Sequence, residues 1–185
     1  MVVTPDADLA RRMRALRNHG RYDSDSWFEH AELGFNYRLS EMQCAMGLTQ
    51  LARVDAILAR REAVARCYCE HLGGNTNLVL PATDVRNQRL SWFVFVVRLA
   101  WTFSPTDRDR IYGDLVAAGI DTGRYFAPIH LQPAYAAWCS TTPLPVTESV
   151  AARTLALPFF NRITDEQIGQ VCEALQSALR AQMQA

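Results

Sequence analysis

The chain contains no lysine: all nineteen of its basic residues, in 185, are arginine. That removes any reaction in which this polypeptide's own ε-amine forms an imine or acts as a base. Net charge is lacking too. Nineteen Asp and Glu balance the arginines and the pI is near 6.9, so no field draws the protein to nucleic acid or to an anionic membrane. Arg11, Arg12, Arg14, Arg17 and Arg21 are offset by Asp6, Asp8, Asp23 and Asp25, the pattern of a solvated helix face. No apolar run approaches the roughly 20 residues of a membrane span; the most apolar stretch, 90–99, is strand-length. Met1-Val2-Val3-Thr4 leads directly into Pro5-Asp6, which lacks the layout of a signal peptide and predicts a cytoplasmic, reducing location. The five cysteines (44, 67, 69, 139 and 172) are then expected as thiols. Cys67 and Cys69 point to different faces of a helix and no paired Cys/His spacing occurs, so no metal site is expected. G-x-S-x-G, Walker A and G-x-G-x-x-G motifs are absent, as are internal repeats.

What is present is an α/β pattern, with 49% hydrophobic residues, enough for a sizeable core. Residues 1–4 read as a short strand. Pro5-Asp6 opens a helix with Leu9, Met13 and Leu16 on one face, and Gly20 suits its C-terminal cap. Segment 21–32 reads as loop. Ser40 and Gln43 form a capping box, after which the helical pattern runs to Leu72 and stops at Gly73-Gly74. Leu51, Val54, Leu58, Ala65, Tyr68 and Leu72 make one apolar stripe. At 1.5 Å per residue that helix would be roughly 50 Å long, longer than a small core, which predicts a bridge between two lobes. A coiled coil fits less well, because Gly47 and polar breaks interrupt the heptads. From residue 75 the texture becomes short and alternating: a central strand over 91–99, a helix over 105–118 with Thr106 as cap and Gly119 as stop, a strand over 120–126, and a loop over 128–133. A helix over 146–157 follows. Thr164 and Gln167 then cap a last amphipathic helix carrying Ile168, Val171, Leu175 and Leu179.

Two constellations could carry chemistry. Asn36-Tyr37-Arg38 precedes the N-terminus of the long helix. Helix N-termini favour anions, and Asn with Arg there would clamp a phosphate or carboxylate. A plain helix-entry turn whose arginine pairs with Glu41 or another acid fits the same residues. Arg124-Tyr125-Phe126-Ala127-Pro128-Ile129-His130 mixes aromatic, basic and imidazole groups at a strand-to-loop junction, where ligands of α/β sheets usually sit. Tyr125 and His130 are the candidate contacts to a sugar or base; a packed loop with His130 bonded to backbone is the alternative. His19, His30 and His71 show no partner pattern and read as surface or capping residues.

Arg17-Asn18-His19-Gly20, Leu33-Gly34-Phe35-Asn36-Tyr37-Arg38-Leu39-Ser40, and the helix with Gln43, Gly47-Leu48, Gln50-Leu51 and Arg60-Arg61 together resemble the DegT/StrS-type sugar aminotransferases. Ser91-Trp92, the 125–130 segment, Leu144-Pro145-Val146 with Glu148, and Ala156-Leu157-Pro158 fit the same template in the same order. The resemblance implies the C-terminal part of a fold type I, pyridoxal 5'-phosphate-dependent transferase. On it, residues 1–39 are a remnant of the large cofactor-binding domain, 40–74 a long interdomain helix, and 75–185 a small α/β domain with a short sheet backed by helices. It implies transfer of an amino group from glutamate to a keto carbon of a nucleotide-linked sugar, in polysaccharide or antibiotic amino-sugar biosynthesis. The active site lies at a dimer interface, where Asn36 and Arg38 reach the cofactor phosphate in trans and Tyr125 and His130 face the substrate. Asn18 and Gly20 are structural in this template.

The family's chemistry needs a lysine that holds the cofactor and later moves a proton. In the template that lysine lies upstream of the Met1–Thr4 segment, so this chain is expected to be inactive alone. Its expected partners are a second copy or a lysine-bearing homologue. A non-catalytic partner subunit and a truncated product without a role are the alternative readings. A chain short of its large domain should be unevenly stable: residues 78–179 should protect their amides while those before 34 exchange fast. Hydrogen exchange followed by mass spectrometry checks this, and uniform protection along the chain would contradict it.

Overall fold

The computed structural model describes residues 2–26, 28–139 and 143–184, and the chain divides after Arg53 into two units. In the first, α1 (Ala7–Arg17) begins at Asp6, whose carboxylate accepts the Leu9 N–H at 3.0 Å. It ends where His19 and Gly20 turn left-handed, at φ 63° and 76°, and the Gly20 N–H returns to the Ala15 carbonyl at 2.8 Å. α2 (Glu41–Leu51) starts on the expected Ser40/Gln43 capping box, and none of its residues is buried. The strand expected over 1–4 does not form: Val2 to Thr4 carry no strand pairing, and Val2 and Val3 are 75% and 81% exposed. A strand needs a neighbour for its N–H and C=O groups; Met1 lies outside the described residues.

The single helix expected over 40–72 is two helices, α2 and, in the second unit, α3 (Val54–Leu72). The Ala52 N–H still reaches Leu48, but the Arg53 N–H bonds only Gln50, three residues back, so the regular ladder ends there. The apolar stripe divides likewise. Val64, Ala65, Tyr68 and Leu72 are buried, while Leu51 and Val54 are exposed.

The second unit is built on an antiparallel sheet of β1 (Leu78–Val79), β2 (Phe95–Leu99) and β3 (Thr154–Leu157), in that order, with Leu78 opposite Leu99 and Phe95 opposite Leu157. β2 is central, as the sequence predicts, but covers only the second half of 91–99. Its alternation puts Phe95, Val97 and Leu99 in the core and Val96 and Arg98 on the other face. Among the described residues the unit also has four further α-helices, α4 (Pro105–Ala117), α5 (Ala136–Cys139), α6 (Pro145–Ala151) and α7 (Asp165–Met183), and the segment expected as loop over 128–133 carries short 3-10 helices at Ile129–Leu131 and Pro133–Tyr135. α7 packs on both α3 and α4, burying Ile168, Val171, Leu175 and Leu179 as its periodicity requires. Among the described residues no helix is long and apolar enough to cross a membrane.

Three local expectations change. α4 is capped by Ser104, whose hydroxyl accepts the Asp107 N–H at 3.2 Å, and not by Thr106; Pro105 at the first helical position fixes that start. The strand expected over 120–126 reduces to one bridge, Gly123 with Ala156, because Phe126 at φ 33° leaves the extended region at once. The helix expected over 146–157 ends at Ala151, and Thr154–Leu157 becomes β3, since Leu155 and Leu157 fill the core beside Val97 and Phe95.

Phe95 is fully buried, stacked on Tyr68 at 4.8 Å and on Phe159 at 6.5 Å between ring centres. The Tyr68 hydroxyl donates to the Pro158 carbonyl at 2.7 Å, and burial pushes the Tyr68 phenol's pKa upward. Burial also pushes the Cys172 thiol up to about 12. Arg60 donates to the Asn161 and Ile163 carbonyls at 3.2 and 2.9 Å, and Arg61 to Asn161 Oδ1 and the Trp92 carbonyl at 2.9 and 3.0 Å. This arginine pair thus ties the loop after β3 to α3. Phe95→Ala should cost about 3–5 kcal/mol. The check is chemical denaturation, where the midpoint should fall with the slope unchanged.

Candidate functional site

Asn36 and Arg38 lie in the first unit, Tyr125 and His130 in the second, and each pair has its own setting. Segment 34–37 runs antiparallel to the end of α1. Asn18 bridges Asn36, the His19 N–H donates to Phe35 O at 2.8 Å, and the Tyr37 N–H donates to Arg17 O at 2.9 Å. Two glycines make this approach possible. A Cβ on Gly20 would sit 1.7 Å from the Glu32 carbonyl oxygen, and one on Gly34 would sit 2.0 Å from the Gly20 nitrogen. Gly20 also holds a positive φ, which a side chain resists.

The same pairing assembles a small polar cluster. Arg38 Nε donates to Asn36 Oδ1 at 2.8 Å, and Arg38 Nη2 lies 2.9 Å from His19 Nε2. A guanidinium only donates, so His19 Nε2 accepts. The His19 carbonyl in turn holds His30 Nδ1 at 2.8 Å, and the two rings meet edge-on at 6.4 Å. Arg38 is exposed yet aimed by two partners, and α2 begins three residues later, where the Glu41 and Met42 N–H groups have no carbonyl within the helix. A fixed guanidinium beside free N–H groups is suited to a phosphate or carboxylate. His19 was legible in the sequence only as part of Asn18-His19-Gly20; no spacing rule pairs it with Arg38 across 19 residues.

The second cluster hangs from β3. Gly123 and Ala156 exchange two backbone hydrogen bonds, at 3.0 and 2.7 Å, and the Thr122 hydroxyl donates to the Ala156 carbonyl at 2.7 Å. The chain then turns outward at Tyr125 and Phe126, whose rings meet edge to face at 4.8 Å. Arg108 spans α4 to the end of α6, donating to Ala151 O at 3.2 Å. Asp109 Oδ1 accepts from both Arg108 and Arg124, at 2.6 and 3.0 Å. A cavity of about 240 Å³ opens among Arg108, Arg124, Tyr125, Phe126, Leu131 and Glu148. Ligand sites that hold a whole small molecule run roughly 300–1,000 Å³, so this one is suited to part of a ligand.

Tyr125 lines the cavity. His130 stands behind Glu148: its Nε2 is 2.9 Å from Glu148 Oε1, the oxygen that also accepts the Leu144 N–H at 3.0 Å. A carboxylate only accepts, so Nε2 carries the proton. The His130 imidazole, and after it the Leu144 N–H, hold the Glu148 carboxyl below the usual glutamate range. Glu148 is therefore the residue of this pair that meets the cavity, with His130 orienting it. Sequence reasoning singled out His130 and placed Glu148 only within the family template, because an 18-residue separation across a loop has no periodic signature.

The family's sequence model matches residues 1–176. The chain belongs to the DegT/DnrJ/EryC1/StrS aminotransferase family. Among curated relatives of this aminotransferase-family chain, GDP-perosamine synthase of Caulobacter vibrioides is 37% identical over 97% of this chain and 47% of its own length. The dTDP-3-amino-3,4,6-trideoxy-alpha-D-glucose transaminase of Streptomyces venezuelae is 38% identical over 94% of this chain and 44% of its own. Among solved structures, S. venezuelae DesV, in complex with a ketimine intermediate, superposes with a TM-score of 0.82 at 37% identity, over 95% of this chain and 45% of that one. Helicobacter pylori PseC reaches 0.88 at 24% identity, over 97% of this chain and 48% of that one, and so shares the fold. The chain spans about half the length of the curated relatives it matches. Its architecture is the C-terminal half of the aminotransferase fold.

A depressed carboxyl is stabilising above its unfolded pKa and loses that contribution as pH falls through the folded value. The Glu148 contact should therefore persist to below the ordinary carboxylate range. In His130→Ala, the Glu148 carboxyl should titrate at higher pH than in the parent protein, followed by carboxyl-carbon NMR. An unmoved titration would mean that His130 does not hold it.

Proposed function

We propose that this chain is the C-terminal portion of a nucleotide-sugar aminotransferase, one that moves an amino group from glutamate to a keto carbon of a nucleotide-linked sugar in amino-sugar biosynthesis. The observation that carries the reading is the ordered family match over residues 1–176 in a chain without lysine. The relatives at 37% and 38% identity, a GDP-perosamine synthase and a dTDP-sugar transaminase, support the substrate class. Residues 1–39 then belong with the cofactor-binding domain, 40–74, which form the two helices α2 and α3, with the interdomain segment, and 75–185 with the small domain.

The family implies pyridoxal phosphate, which when bound supplies an electron sink for carbon–nitrogen bond exchange. The chain's residues fit one part of that site. Asn36 and His19 aim Arg38 beside the start of α2, an arrangement that would bind the phosphate, in trans, at the interface of a dimer. They do not fit the other part, because no residue here can supply the amine that holds the cofactor or moves its proton. Tyr125, with Arg124 and Glu148, would take the substrate side, and His130 would keep Glu148 oriented and ionised. Turnover therefore needs a lysine-bearing polypeptide.

A second reading, a non-catalytic subunit that completes a full-length homologue, draws on α2. Met42, Met46, Leu48 and Leu51 are all exposed on a helix with no buried residue, the kind of apolar surface that marks a protein interface.

The purified chain given pyridoxal phosphate, glutamate and a nucleotide-linked keto sugar should form no 2-oxoglutarate. Co-expressed with a family member that keeps its lysine but lacks the residues aligned with Asn36 and Arg38, it should restore turnover, and Arg38→Ala should abolish the rescue. Turnover by the chain alone would sink the proposal, and a solitary monomer that never co-purifies with the homologue would sink the second reading. The native gene product's intact mass separates the two: about twice 20.8 kDa favours the first reading, and 20.8 kDa itself the second.

A further inference from the structure

The first unit keeps a histidine in a conformation that ordinarily selects glycine. His19 sits at φ 63°, where a side chain is strained and glycine is not. Such a residue persists only where its surroundings hold it, and strain of this kind gathers at functional sites. Three contacts hold His19. Its N–H donates to the Phe35 carbonyl at 2.8 Å, its carbonyl accepts from His30 Nδ1 at 2.8 Å, and its Nε2 accepts from Arg38 Nη2 at 2.9 Å. The end of α1 is already closed by the Gly20 N–H on the Ala15 carbonyl at 2.8 Å, so the cap does not require an imidazole at 19.

A backbone carbonyl only accepts, so His30 Nδ1 carries the proton in its contact with His19. With the His19 N–H on Phe35 and its carbonyl on His30, the peptide planes on both sides of His19 are fixed. Its ring then has only the side-chain torsions left with which to meet Arg38. His30 is itself exposed, but the segment that carries it is tied back to the end of α1. The Glu32 N–H donates to the Gly20 carbonyl at 3.2 Å, Arg12 Nε donates to Glu32 Oε2 at 3.0 Å, and the Tyr22 hydroxyl donates to Glu32 Oε1. The Arg11 guanidinium lies 5.2 Å from the centre of the Tyr22 ring, over its face. The imidazole is thus presented from a fixed loop.

We propose that His30 is a positioning residue for the anion site at Arg38: it holds the His19 backbone, and the His19 ring in turn holds the guanidinium. His30 acts two hydrogen bonds away from Arg38 and touches no ligand. Without its donor, the His19 peptide relaxes out of the strained region and its ring leaves Arg38, which then keeps only Asn36, at 2.8 Å. A guanidinium held at Nε and Nη2 is fixed in its plane. Held at Nε alone it turns, and the cost of ordering it falls on ligand binding. That the ligand is a phosphate rests on the aminotransferase reading; the relay from His30 to Arg38 rests only on contacts within the first unit.

The test uses the whole 185-residue chain, nitrogen NMR at about pH 8.5, where free imidazole is neutral, and inorganic phosphate as the probe. In the parent chain His19 should show the tautomer protonated at Nδ1, since its Nε2 accepts. In His30→Ala, with unchanged circular dichroism, that preference should weaken. Rotation of the Arg38 guanidinium about Nε–Cζ, which breaks the Nη2 contact and is read from averaging of the Nη signals, should quicken by about fivefold or more. His19→Gly separates positioning from folding: glycine takes φ 63° freely, so the melting temperature should hold or rise while the Arg38 rotation quickens. Phosphate should bind His30→Ala about fivefold more weakly than the parent. A His19 ring protonated at Nε2 in the parent, an Arg38 rotation unchanged in His30→Ala or in His19→Gly, or equal phosphate affinities in parent and His30→Ala would overturn the proposal. A parent that shows the relay but binds no phosphate would uphold the positioning of Arg38 and overturn the phosphate assignment on which the cofactor reading depends.

Discussion

The aromatic stack centred on Phe95 is the constraint on which the second unit depends. Phe95 is the first residue of the central strand, and Tyr68 of α3 lies against its ring. The same tyrosine spends its hydroxyl on the Pro158 carbonyl, just past the end of β3. One side chain thus sets the height of α3 against the sheet and the point where β3 must stop. With α3 placed, Arg60 and Arg61 reach the 161–163 loop and Trp92. The loop leads into the Thr164 cap, and α7 can close over the core. Fully buried aromatic contacts tolerate little displacement at interior packing density, so errors at Phe95 would spread to β3 and to everything hung on it.

The cluster at Tyr125 is one such dependent. The 122–123 segment is pinned to Ala156 of β3, and Arg108 ties α4 to the end of α6. Between these anchors, Tyr125 and Glu148 line the same cavity. The cluster at Arg38 is built differently, on backbone pairing between 18–20 and 34–37, where two glycines allow a contact that any Cβ would block. In both, arginine is the cation, and each is oriented by hydrogen bonds before a ligand arrives. Guanidinium suits that task because it stays charged and presents a rigid fork of donors. For the same reason it cannot stand in for lysine, whose amine can lose its proton and attack a carbonyl. A lysine-free chain can thus orient guanidiniums firmly, while no side chain in this sequence supplies an ε-amine for a covalent step.

Much of the fold was legible in the residues. Capping boxes at Ser40 and Thr164, the stop at Gly20, the central strand ending at Leu99 and the α7 stripe all follow from local rules, because each satisfies backbone groups or buries one face within a few residues. The errors share a cause as well. Segment 146–157 is apolar enough for helix or strand, and only pairing with β2 makes Thr154–Leu157 a strand. Segment 120–126 has strand composition but obtains a single bridge. Leu51 and Val54 continue the stripe of Tyr68 and Leu72 in sequence, yet nothing in their own units buries them. At the candidate sites, Asn36, Arg38, Tyr125 and His130 stood out by residue type and position. Their partners His19 and Glu148 did not, since hydrogen bonds across 19 and 18 residues leave no period to read.

What the sequence determined by itself is the family, through motifs whose order survives without coordinates, and the chemical boundary set by the lack of lysine. Periodicity and caps settled where most helices begin, because those energies are local. Tertiary structure alone decided which apolar segments became strands, that Glu148 rather than His130 faces the cavity, and that His30 reaches the His19 carbonyl across 11 residues. These are outcomes of long-range pairing and burial, and a residue's type does not encode which distant neighbour will take up its hydrogen bond or cover its surface.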